Sequence, residues 1–208
     1  MGMKFDHGPF NEDTYMELYF IFLREKFGIK SVIETGTYHG KTTEWLADHF
    51  DDVMTIEVIE TNYKIAKKRL DYKPNVIQCM GSSVDMLETM ILSANNPINM
   101  LIFLDAHWYT NPVLDELNAI WNTGLKPVLA IHDFKNPEDP TMGYDEYPDQ
   151  GIVYEWDWVK EKIEDIYGDD YQIYYNKAAT GARRGCLFVL PGKERIEWPE
   201  FLEAEWIK

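Results

Sequence analysis

A doubly wound α/β fold is predicted, with a mostly parallel sheet of seven strands, helices on both faces and a C-terminal antiparallel hairpin. Three observations point to it. Short β-rich runs alternate with helical patterns from Ile29 to Ile131, the pattern of βαβ units. Runs such as Leu101-Ile102-Phe103-Leu104 are apolar throughout, as parallel strands covered on both faces require. Glu34, Glu57, Gly81–Ser83, Asp105 and His132-Asp133 fall at the ends of those runs, where such a sheet opens its ligand crevice.

Taken in order, the elements begin with a helix over 13–27. Thr14 and Glu17 fit a capping box, and Leu18, Tyr19, Phe22, Leu23 and Phe27 follow at helical spacing up to Gly28. Strands are then predicted at Ser31–Glu34, Val53–Val58, Asn75–Cys79, Met100–Leu104 and Pro127–Ile131. Helices fall between them at Lys41–Phe50, Asn62–Asp71, Val84–Ser93 and Val113–Trp121. The stretch 134–150 is rich in proline and acids and too long for a passive connection. It reads either as an active-site loop or as a solvated insertion. A helix over Val153–Tyr167 follows, then strands Tyr171–Tyr175 and Cys186–Leu190 as a hairpin. Pro199 suits the opening of a short helix over Trp198–Ile207, with Trp198 and Trp206 docking the tail.

The 208 residues suit one domain over 1–208, with an N-terminal helical extension at 1–28, the 134–150 loop and a tail at 191–208. With 45% apolar residues the chain can build a core. Twenty basic and 36 acidic residues give a net charge of −16, a field that repels phosphate backbones and argues against a nucleic-acid partner. No apolar run is long enough to span a bilayer. The start lacks the pattern of a signal peptide. Cys79 and Cys186 read as core thiols. Together these features predict a cytoplasmic protein without a membrane partner; the N-terminal helix suits simple packing, cofactor cover or a homodimer contact.

The chemistry concentrates at the strand ends. Gly36-x-x-x-Gly40 follows the first strand and opens a helix. Its glycines permit close approach of a ligand, and the helix amides favour a carboxylate. Glu34 offers an acceptor for an ammonium group, and Glu57, one βα unit later, offers two oxygens for two ribose hydroxyls. The spacing differs from G-x-G-x-x-G and favours S-adenosylmethionine (SAM) over a dinucleotide.

From Val32 to about Phe134 the chain resembles the class I SAM-dependent methyltransferases, in particular the catechol O-methyltransferase-like and macrocin-type O-methyltransferases. Glu34, Gly36, Tyr38, Gly40 and Thr42 stand where that family has its acid, glycine, tyrosine, glycine and hydroxyl residue, and Glu57 at its ribose position. Gly81-Ser82-Ser83 resembles the adenine-side loop, with Ser83 as the contact; Asp105-Ala106-His107-Trp108 resembles the strand-four motif with one residue added. The resemblance implies a Rossmann-like fold, SAM as cofactor and a small hydroxylated acceptor. It also implies a divalent cation such as Mg2+ on Asp105 and Asp133, with His132 a further candidate ligand, to lower the acceptor's pKa. The family's general-base lysine is replaced by Tyr109-Thr110, which leaves His107 or His132 as candidate bases. His107 also reads as a structural residue beneath the adenine, and Asp105 as a SAM contact or helix cap. The altered base position keeps open a SAM- or nucleotide-binding protein of this fold without methyl transfer.

Overall fold

The computed structural model describes residues 8–107, 111–202 and 205–206. Helix α1 (Thr14–Phe27) ends at Gly28 in the left-handed region, φ 60°. Its cap is Asp13 and not Thr14: Asp13 Oδ1 accepts from the amides of Tyr15 and Met16, while the Thr14 hydroxyl bonds that of Thr180. A carboxylate one residue earlier reaches the orphan amides directly.

Strands β1 (Ser31–Thr35), β2 (Asp52–Glu57), β3 (Val76–Met80), β4 (Met100–Leu104) and β5 (Val128–His132) alternate with α2 (Lys41–His49), α3 (Glu60–Leu70), α4 (Ser83–Ser93) and α5 (Val113–Thr123). The 134–150 stretch forms part of a small hairpin, β6 (Glu146–Tyr147) with β7 (Ile152–Val153), before α6 (Trp156–Tyr167). Val153 therefore belongs to β7 and not to the helix predicted from it. Strands β8 (Tyr171–Tyr175) and β9 (Cys186–Pro191) complete the predicted seven.

The tail departs from the predicted helix. After a single 3-10 turn at Glu200–Leu202 it adds a two-residue strand, β10 (Glu205–Trp206), antiparallel to β8. The edge of β8 would otherwise present unpaired backbone groups, and pairing satisfies them. Trp198 packs on Tyr19, Phe22 and Tyr174 as predicted for a docked tail; the side chain of Trp206 lies outside the described residues.

The sheet order is β10-β8-β9-β5-β4-β1-β2-β3. Strands β1 to β5 are parallel, and β9 runs antiparallel between β5 and β8. Alternate side chains build two cores. Ile33, Ile102 and Leu129 pack with Leu117 of α5 and Ile163 of α6. Val32, Phe103 and Ala130 pack with Phe20 of α1 and Leu46 of α2 on the other face. Chain direction across the sheet reverses between β1 and β4, so the crevice opens beyond the ends of those two strands. Cys186 is buried, Cys79 half-buried, and both thiols are free. Among the described residues no helix is long and apolar enough to cross a membrane.

Candidate functional site

The turn after β1 is shaped by close packing. Gly36 sits at φ 85°, and a Cβ there would overlap the Asp105 carbonyl oxygen and lie 2.9 Å from its carbon. Gly40, at φ 78°, caps α2, and its Cβ would press Ala66 and Leu70 of α3 at 3.2 Å. The Gly40 cap of α2 makes no side-chain bond, and a helix start of this kind favours an anion. Thr42 is committed elsewhere, its hydroxyl accepting from the Phe10 amide at 3.0 Å.

That bond fastens a strap, Pro9–Glu12, across the crevice. Phe10 anchors it among Phe20, Trp45 and Phe103, and the Asn11 carbonyl accepts from Ala182. Gly8 and Asn11 of the strap join Gly36, Tyr38 and Asp105 around a cavity of about 60 Å³. Beyond the strap the crevice is open, with Val58, Met80 and Tyr38 exposed around Glu57.

Glu57 ends β2, and each of its oxygens holds a backbone amide at 2.7 Å: Oε2 that of Tyr38, Oε1 that of Ile59. Burial raises its pKa, and the amide bonds partly offset that. The Val58 amide adds a further bond to the carboxylate. Glu34 behaves differently. It is 1% exposed, and its Oε2 accepts from Thr43 at 2.5 Å and Thr55 at 2.7 Å. Burial pushes its pKa up to about 8. The structure thus places Glu34 under the turn, between β1, α2 and β2. Ser83 is likewise buried at the start of α4, its hydroxyl turned toward Glu116. Trp108 lies outside the described residues.

A polar cluster fills the other side of the crevice. Asp133 follows β5 in the left-handed region, φ 55°, a strained backbone of the kind found at functional sites. Its Oδ2 bonds His107 Nε2 at 2.7 Å and lies 3.4 Å from His132 Nδ1. Asp105 Oδ1 bonds His132 Nδ1 at 3.0 Å and lies 3.8 Å from His107 Nε2. Asp145, from the stretch before β6, brings a third carboxylate to 3.8 Å from His107. Burial disfavours a charged ring, yet these carboxylates raise the pKa of His107 and hold that of His132 well above the usual histidine range. Burial also opposes ionisation of Asp133, but the His132 charge and the His107 bond hold its carboxyl well below the usual range. Tyr147 caps the cluster by donating to the His107 carbonyl.

The ligand atoms of Asp105, His107 and Asp133 lie within 4.8 Å of one another. The sequence pointed to His132 beside the two aspartates; its Nδ1 lies 3.0 Å from Asp105 and 3.4 Å from Asp133, and the ring is 1% exposed. Sequence reasoning missed two further acids, Asp145 and Glu116. Glu116 on α5 is wholly buried, neither oxygen having a well-formed hydrogen bond, and burial raises its pKa. An acid on the apolar stripe Val113, Leu117, Ile120 was the signal available.

Neither a scan against protein-family models nor a search of curated proteins gives a match. Solved structures do. The fold is similar to that of a candidate caffeoyl-CoA O-methyltransferase from Staphylococcus aureus (TM-score 0.60, 18% identity, 86% of this chain and 84% of that one). It is also similar to the O-methyltransferase TomG from Streptomyces achromogenes, solved with SAM (0.57, 18%, 84% and 78%), and to an O-methyltransferase from Bacillus cereus solved with S-adenosylhomocysteine (0.55, 18%, 88% and 84%). The chain therefore has the Rossmann-like fold of the SAM-dependent methyltransferases. At this identity the likeness establishes the fold, and activity has to be argued from the site.

Proposed function

We propose that this protein is a SAM-dependent methyltransferase that O-methylates a small hydroxylated molecule. The observation that carries this reading is the pairing of Glu57 with the Asp105–Asp133 cluster on opposite sides of the β1/β4 switch point. SAM, when bound, supplies a methyl group on a sulfonium centre. Glu57 fits the ribose, its carboxylate standing at the end of β2 beside the exposed Val58 and Met80. The uncapped start of α2 fits the carboxylate of the methionine part. A cavity of about 60 Å³ under the strap is far smaller than a drug-sized pocket, so the adenosine end belongs on the open side, at Glu57.

The surrounding carboxylates raise the pKa of both rings, and His107 and His132 hydrogen-bond Asp133 and Asp105 and orient them. Proton removal then falls to Asp105: its Oδ1 is held by His132, which leaves Oδ2 to take the hydroxyl proton as the acceptor oxygen attacks. Holding acceptor and donor in line supplies much of the rate. The divalent cation implied by the resemblance would find carboxylate and imidazole donors at Asp105, His107 and Asp133, but the Arg184 guanidinium already pairs with Asp133 and Asp145, and no step here requires a metal.

Isothermal titration with SAM tests the reading: saturable binding is expected, and no heat together with no thermal stabilisation would count decisively against it. Glu57→Gln keeps an acceptor for one amide and removes the charge. It is expected to weaken SAM binding about tenfold or more, the scale of a lost charge-assisted hydrogen bond. An unchanged Kd would remove Glu57 from the cofactor site.

A further inference from the structure

Arg184, in the connection between β8 and β9, enters the cluster from above. Its Nε donates to Asp133 Oδ1 and its Nη2 to Asp145 Oδ1. One planar group thus bridges two carboxylates, the geometry a guanidinium suits and an ammonium does not.

The backbone around it is built for that placement. Residues 183–185 are held by Gly143, whose amide donates to the Arg183 carbonyl at 3.0 Å and whose carbonyl accepts from Gly185 at 2.9 Å. A Cβ on Gly143 would stand 2.8 Å from Nη1 and 3.1 Å from Cδ of Arg184, so glycine leaves the room in which the side chain lies. On the far side, a Cβ on Gly185 would overlap the Phe134 carbonyl oxygen. Arg184 is therefore wedged and three-quarters covered, unlike its neighbour Arg183, which is half exposed and pairs with Asp139.

Asp133 consequently has both oxygens committed, Oδ1 to Arg184 and Oδ2 to His107. A divalent cation at Asp105, His107 and Asp133 needs one of those oxygens and the His107 nitrogen bonded to it, and the guanidinium's positive charge repels it. We propose that Arg184 is the resident cation of this site: it holds Asp133 and Asp145, brings a positive charge beside the trio, and keeps a divalent metal from binding. The inference rests on the methyltransferase reading for the site's purpose, but its geometry and its test do not depend on SAM.

The experiment is a Mn2+ titration of chelator-treated protein, read from the electron paramagnetic resonance signal of free aqueous Mn2+ without cofactor or acceptor. The wild type is expected to leave the signal of the free ion unchanged at micromolar Mn2+. Arg184→Gln, which removes the charge, is expected to bind one Mn2+ at least tenfold more tightly. Gly143→Ala, which pushes the fork out of its seat without deleting it, should shift affinity the same way and serves if Arg184→Gln does not fold. Wild-type binding as tight as that of the variants overturns the proposal. So does absence of binding in every folded variant. SAM titration of the same samples stays separate, so a failure of the cofactor reading would be distinguishable from a failure of this one.

Discussion

Raising the pH from 4.5 to 8 is expected to remove about 5 kcal/mol of folding free energy through Glu34 alone. The carboxyl is wholly buried, and its pKa rises from an ordinary 4.5 to about 8, with burial the main cause and the Thr43 and Thr55 hydroxyls opposing it. The sign follows from proton binding. Below pH 4.5 both folded and unfolded chains hold the proton, and the contribution is complete. Between 4.5 and 8 the unfolded chain ionises while the folded one stays neutral, so folding loses ground as pH rises. Above 8 the loss levels off. Other carboxylates titrate too; Asp133, held low, contributes in the opposite sense. A difference measurement isolates Glu34. Urea unfolding of wild type and Glu34→Gln at pH 5 and pH 8.5 should show the variant gaining on the wild type by several kcal/mol at the higher pH. Parallel pH dependences for the two would refute the assignment.

Gly36→Ala is expected to destabilise the protein by about 4 kcal/mol, combining left-handed backbone strain with overpacking. Gly36 holds φ 85°, and the new methyl would meet the Asp105 carbonyl, which is backbone and cannot rotate away. The strands behind both residues are paired in register, Thr35 with Leu104, so relief requires moving the sheet ends apart. Thermal unfolding should fall by about 10 °C, and the displaced Asp105 should lower the proposed methyl-transfer activity further than the stability loss explains. A loss below about 1 kcal/mol would mean that the turn is looser than it stands.

These two positions also show how differently the sequence can be read at neighbouring residues. Gly36 is legible as a turn glycine of the first βα unit, and its position in the crevice follows. Glu34 is legible as an acid at a strand end, but its direction is not. An acid ending a strand points to the crevice or beneath the turn according to which hydroxyls flank it, and Thr43 and Thr55 come from α2 and β2. The Asp13 cap and the β10 strand were illegible for a similar reason. Each is decided by a partner far away in sequence, Thr180 for Asp13 and β8 for the tail, and local propensity carries no trace of it.

The alternation of apolar runs and amphipathic helices by itself determined the seven strands and the two covered faces. The glycines and acids at strand ends located the crevice, because the periodicity of burial and the polarity of strand termini are local properties of the chain. Tertiary structure alone decided which of the polar residues meet. It buried Glu34, set His107 and His132 against Asp133 and Asp105, and joined Arg184 to Asp145 and Asp133 across separations of 39 and 51 residues. Electrostatics depends on distance and desolvation, and neither exists until the sheet has been assembled.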